Sequence, residues 1–119
     1  MAELFHLTEP EIWAAAVRAG EYRMSTRGRT LAEEGFIHCS LRHQVRGVAD
    51  ALYADVDHLV LLVIDDSRLA GPVRFEVPEP GAEAYPHIYG PLPVGAVSEV
   101  IDVTRDPDGR FVRLDDPRH

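Results

Sequence analysis

At Ser40 the side-chain period of this chain changes from that of a strand to that of a helix within a single residue. Upstream, in Gly35-Phe36-Ile37-His38-Cys39, Phe36 and His38 point one way and Ile37 and Cys39 the other. Downstream, Val45, Val48, Ala49, Leu52 and Tyr53 recur on one face of a helix expected over residues 42–54. Ser40 stands where an N-cap belongs, so the helix is expected to open its free amides beside His38. Unpaired amides and the helix dipole together suit a phosphate or another anion.

Two further histidines lie on strand-like segments, His6 in Leu4-Phe5-His6-Leu7-Thr8 and His87 in Pro86-His87-Ile88-Tyr89-Gly90-Pro91. The three segments are expected to meet at one polar cleft. Three histidines on one point could ligate a metal, but their spacing matches no compact zinc pattern. No metal is expected.

The 119 residues, 45% hydrophobic and 27% charged, are read as one domain spanning 1–119. A chain of this size can bury a core without disulfides, and its single cysteine, Cys39, excludes an internal one. No stretch approaches the ~20 apolar residues of a membrane span, and the N-terminus does not read as a signal peptide. A cytoplasmic location is expected. The net charge of −8 disfavours a phosphate-tracking surface for duplex nucleic acid. A small ligand, needing only two or three donors, survives that objection.

Along the chain, residues 3–7 read as a strand with Leu4 and His6 on one face and Phe5 and Leu7 on the other. Thr8, Pro10 and Glu11 form a helix start with Thr8 as the cap, Ile12, Trp13, Ala16 and Val17 its apolar stripe, and Gly20 its stop. Residues 21–34 show no clear period and cluster Arg23, Arg27 and Arg29. They read as a binding loop or as a solvated basic loop, with a short helical turn at Leu31 to Glu34. Leu59 to Ile64 has the length of a buried strand. In Val73-Arg74-Phe75-Glu76-Val77 the apolar residues are expected to anchor a strand from which Glu76 projects oppositely. The prolines after Gly90 exclude a central strand there. Ala96 to Val103 and Arg110 to Leu114 read as a hairpin turned by Asp106-Pro107-Asp108-Gly109, followed by a frayed tail. Two helices near the N-terminus and five to seven short strands make an α+β domain.

Among reactive groups, Cys39 alternates away from His38 and should be an inert core thiol. Ser40 lacks a nucleophile elbow. Glu76 is the carboxylate placed to hydrogen-bond a ribose or stabilise a cationic transition state. A pairing with Arg74 is its structural alternative.

These residues resemble a known family. Glu34-Gly35-Phe36-Ile37-His38-Cys39-Ser40 with Gln44, Arg74-Phe75-Glu76, and Tyr85-Pro86-His87-Ile88-Tyr89-Gly90-Pro91-Leu92-Pro93 are similar to segments of the domain-of-unknown-function 952 family, with His6 matching its first strand. That family resembles the ADP-ribosyltransferase superfamily in fold, which implies a split, mainly antiparallel sheet with two N-terminal helices and an NAD-binding cleft. The resemblance implies that His6 and Thr8 hold the nicotinamide-side ribose or amide, and that His38 and Ser40 hold phosphate or the second ribose. Gln44 and Tyr89, within the same motifs, join the nucleotide contacts. Its third motif usually carries a glutamate, where the clearest candidate here is His87. In this it is similar to the His-rich RNA 2′-phosphotransferase branch, which also uses NAD. The expectation is an NAD- or ADP-ribose-type nucleotide-binding protein, ADP-ribosyltransferase-like or 2′-phosphotransferase-like if catalytic, with His6, His38, His87 and Glu76 as its reactive set. The alternatives are a non-catalytic small-molecule module and a histidine-ligated metal protein.

Overall fold

The computed structural model describes residues 3–114. In chain order its elements begin with β1 Glu3–Thr8, α1 Pro10–Ala19, β2 Glu21–Tyr22, β3 Met24–Thr26, β4 Arg29–Thr30 and α2 Leu31–Glu34. There follow β5 Ile37–His38, α3 Val45–Leu52, β6 Leu59–Asp65, β7 Val73–Glu76, β8 Tyr85–Ile88, β9 Leu92–Pro93 and β10 Val97–Val103. This is an α+β domain, and among the described residues the strands of each sheet pair antiparallel.

The apolar run at Leu59 forms the middle of a three-stranded sheet, β1-β6-β10. All six residues from Leu59 to Ile64 are buried, each contributing on the order of 1.5–3 kcal/mol of gross burial. Both faces of this strand are covered. On one side Leu61 and Val63 pack with Phe5, Leu7 and the Val45 and Ala49 stripe of α3. On the other, Val60, Leu62 and Ile64 pack with Leu4, Ala16 of α1, and Ile37, Cys39 and Ile88 of a second sheet.

That second sheet has the order β5-β8-β7. Among the described residues its backbone joins that of the first sheet where Ser40 bridges Phe5, each amide bonding the other's carbonyl at 2.7 and 2.8 Å. Beyond this bridge the sheets part. The alternation read at 36–39 holds, since Ile37 and Cys39 enter the core while Phe36 and His38 take the opposite face. Gly71 lets the start of β7 approach β8, because a Cβ there would lie 2.1 Å from the Tyr89 carbonyl oxygen.

Several local expectations are corrected. Thr8 does not cap α1. It is the last residue of β1, paired with Val60 and buried, because ladder bonding claims it first. Glu9 precedes the helix, and its carbonyl receives the amides of Ile12 and Trp13. Ser40 likewise is drawn into its bridge with Phe5 and does not cap a helix. The chain passes instead through a 3₁₀ turn, Arg42–Gln44, in which the Leu41 amide donates to Gln44 Oε1 at 2.8 Å. Residues 21–34 are not an aperiodic loop: β3 and β4 form a hairpin turned at Arg27 and Gly28, and β2 pairs with β9. The short helix at Leu31–Glu34 is present, with a capping box between Thr30 and Glu33. Arg110 to Leu114 forms no strand, only one bridge from Phe111 to Arg105. Phe75 and Val77 do not anchor β7 from inside; both are exposed, because the core that Val73 packs against does not extend under them. Val17 of the α1 stripe is also half exposed. The expected frayed tail lies outside the described residues.

Candidate functional site

Where the sheets part, a cavity of about 370 Å³ opens between β1, α3, β5 and β8. One wall is apolar, made by Phe5 and Leu7 of β1 and by Val45, Val48, Leu52 and Tyr53 along and just beyond α3. The helix stripe read from the sequence is therefore only partly used by the core. The opposite wall carries His38, His87, Ser40 and Tyr85.

Register explains the histidine wall. His38 and His87 are directly paired across β5 and β8, so both imidazoles project from one face, ring centroids 4.6 Å apart and nearly perpendicular. Phe36, two residues before His38, lies flat on the His87 ring with centroids 4.1 Å apart. Glu76 reaches His87 diagonally from β7. The His87 Nδ1–H donates to Glu76 Oε1 at 2.7 Å, and the Tyr89 hydroxyl donates to the same oxygen at 2.6 Å. In the neutral ring this places the proton on Nδ1 and leaves Nε2 as an acceptor. Among the described residues, neither that Nε2 nor either ring nitrogen of His38 has a hydrogen-bond partner.

The electrostatics follow from these contacts. The Tyr89 hydroxyl first, then His87, hold the Glu76 carboxyl below its ordinary range, so it is an anion at neutral pH. Glu76 in turn pushes the Tyr89 phenol up. Burial first, then the adjacent His87, hold His38 below its ordinary value. His38 is thus a neutral ring able to donate and to accept. Arg74 does not pair with Glu76 by direct contact; its guanidinium stacks 4.9 Å from the centre of the Tyr89 ring.

His6 differs. It also borders the cavity, but its Nδ1–H donates to the His38 carbonyl and its Nε2 accepts from the Tyr22 hydroxyl. Burial holds it down to about 4 and therefore neutral. Both nitrogens are committed to joining β1, β2 and β5. Tyr22, which sequence reading passed over, is fully buried here and also bonds Thr8.

The expected set is therefore divided. His6, His38, Ser40 and His87 border one cavity. Glu76 and Tyr89 stand behind His87. Thr8 lies at a separate small cleft beside Glu9 and Tyr22. Gln44 acts as a staple, its amide donating to the Ala84 carbonyl at 2.8 Å and to Glu83. With the Ser40 and Leu41 amides also spent, the expected anion site at the helix start loses its first donors. The three clustered arginines have carboxylate partners: Arg23 with Glu21, Arg27 with Asp55 at 2.6 Å, and Arg29 with Glu34 at 2.9 Å. Cys39 is buried, and burial pushes its thiol up, as an inert core thiol should behave. Sequence reading missed Phe36 and Tyr85 as site residues. Strand alternation was a usable signal for both, since each stands two positions from a site histidine. Among the described residues no group of three or more histidine, cysteine or acidic side chains is arranged to hold a metal, and no helix is long and apolar enough to cross a membrane.

The chain belongs to the family described as Protein of unknown function (DUF952), whose profile matches residues 7–100. It is similar to protein CC0527 of Caulobacter crescentus. The crystal structure of that protein superposes with a TM-score of 0.80 at 27% identity, covering 94% of this chain and 95% of that one. Its solution NMR structure gives a TM-score of 0.77 at 27% identity, covering 95% and 94%. No curated protein matches the sequence.

Proposed function

We propose that this member of the DUF952 family binds a nucleotide of the NAD or ADP-ribose class in the cavity between its sheets. The observation that carries the reading is the pair of imidazoles on one wall, His87 held by Glu76 and His38 with both nitrogens open, facing an apolar wall across the cavity. An apolar slot with a few convergent polar groups is the usual form of a small-molecule site, and the volume is at the lower end of that range. It suits one nucleoside half of a dinucleotide: the planar base against Phe5, Leu7 and the α3 side chains, the ribose hydroxyls against His38 and His87. Because Arg23, Arg27 and Arg29 are already paired with carboxylates, the phosphates would lie toward the mouth.

In an ADP-ribosyltransferase-like reaction the acceptor hydroxyl would bond to the anomeric carbon of the nicotinamide-side ribose as its C–N bond breaks and neutral nicotinamide leaves; His87 Nε2 would take the hydroxyl proton, with the Glu76 anion stabilising the imidazolium. His38 would donate to a ribose oxygen. The mostly apolar wall favours, as a second reading, a binding module that holds the ligand without transfer.

The test is calorimetric titration with NAD and with ADP-ribose, followed by an assay for nicotinamide release. Saturable binding weakened roughly ten- to hundredfold in His38→Ala, the cost of a lost buried polar contact, supports the site. Release of nicotinamide that is abolished in His87→Ala selects the enzyme over the module. Absence of binding to either ligand overturns the reading.

A further inference from the structure

Strand β7 carries a feature that the cavity does not use. Phe75, on the outermost strand of the second sheet, is 57% exposed, and Val77, the residue just past that strand, is 53% exposed. Edge strands are normally blunted by charge, brevity or cover; β7 is short and carries Arg74 and Glu76, so a strand that pairs with it has to match those charges. Here the five residues between Pro72 and Pro78 read Val73-Arg74-Phe75-Glu76-Val77. Laid antiparallel against itself about Phe75, this segment is complementary at every position. Valine meets valine, arginine meets glutamate, phenylalanine meets itself, and the flanking prolines fall opposite each other.

The backbone agrees. The Pro72 carbonyl accepts from the Tyr89 amide at 2.9 Å, and the Pro86 carbonyl accepts from the Cys39 amide at 3.0 Å, on the β5 side. In an antiparallel ladder, successive residues turn their N–H and C=O groups to alternate sides. With Phe75 opposite Pro86 and Arg74 opposite His87, Pro72, Arg74 and Glu76 direct these groups toward β8. Val73 and Phe75 therefore direct theirs to the open edge. Pro72 faces inward, so it removes no donor from that edge.

We propose that β7 pairs with β7 of a second copy of this chain, antiparallel about Phe75, so that two three-stranded sheets become one of six strands. Arg74 of each copy then stands across from Glu76 of the other, on the face that carries His87. Glu76 uses Oε1 for both His87 and Tyr89, which leaves Oε2 for the guanidinium of the second copy. The aromatic and valine contacts lie on the opposite face and cover the exposed apolar edge. Opposite charges and aromatic pairs directly across a ladder are the stabilising combinations in a sheet.

Sedimentation equilibrium of the full chain, from low micromolar to near-millimolar concentration, tests the pairing. The wild type is expected to dimerise. Arg74→Glu, which sets like charges opposite each other, should raise the dissociation constant at least tenfold. The double variant Arg74→Glu with Glu76→Arg should restore it. Phe75→Cys should give a disulfide-linked dimer on oxidation, because hydrogen-bonded antiparallel partners have Cα atoms about 5.5 Å apart, whereas Cys39 is buried and does not compete. A wild type that stays monomeric throughout the range overturns the proposal. So does a dimer indifferent to both Arg74→Glu and Phe75→Glu, or a charge-swapped double variant no tighter than the single one.

Discussion

His6 and the pair His38–His87 stand in similar strand contexts in the sequence, yet the molecule uses them in opposite ways. The His6 ring has both nitrogens bonded within the protein, to the His38 carbonyl and the Tyr22 hydroxyl, and burial keeps it neutral. His38 and His87 sit on the face of β5 and β8 that the core does not cover, with nitrogens open to a cavity. A satisfied imidazole holds elements together; an unsatisfied one is available to a ligand. The geometry that makes the second kind depends on the first, because His6 grips the backbone of His38 itself.

The sharpest way to break this comparison is to remove each ring. His6→Ala should cost about 2–4 kcal/mol, since it leaves a cavity and strips partners from two buried polar groups. His38→Ala should cost about 1 kcal/mol or less, as expected away from a packed bonding network. Urea denaturation measures both, and equal losses would contradict the division of roles.

A somewhat smaller effect follows from titration. His6 in the folded chain is held down to about 4 against 6.5 for a free histidine, so between those values the unfolded chain binds the extra proton. Stability is then full above pH 6.5 and declines as the pH falls toward 4, by up to about 3 kcal/mol. The slope in this window should fall markedly in His6→Gln, which cannot titrate, leaving the part that the lowered His38 contributes. Denaturation midpoints at a series of pH values check it.

The smallest expected effect sharpens the other side. Glu76→Gln should leave the unfolding midpoint unmoved, because the carboxylate lies on the outer face and the amide oxygen can still accept from His87. The same change should weaken nucleotide binding several-fold and suppress any transfer, since the anion behind His87 is gone. A variant that loses stability but keeps its ligand would reverse the assignment.

Much of the framework was legible because it is local. The period-2 alternation at 4–8 and 36–39 assigned faces to Phe5, His6, Ile37, His38 and Cys39, and the pattern at 45–53 marked the stripe of α3. Thr8 and Ser40 misled because each has the chemistry of a cap, while sheet pairing with Val60 and Phe5 satisfies their backbone first. Arg27 looked like part of a basic binding loop because Asp55, which neutralises it, lies far along the chain, whereas Glu21 and Glu34, the partners of Arg23 and Arg29, stood close by in the sequence and were not weighed. Phe75 and Val77 looked like anchors because alternation reports which residues share a face, not whether anything covers it.

By itself the sequence determined the α+β class, the buried strand at Leu59 and the side of each strand on which a residue falls, all consequences of short-range backbone geometry. Only the tertiary structure decided that β1 and β5 part beyond the Ser40–Phe5 bridge, that His6 is spent while His38 and His87 are open, and that β7 ends its sheet. Those outcomes depend on hydrogen bonds and contacts between residues far apart in the chain, such as His6 with His38 and His87 with Glu76, which no local periodicity encodes.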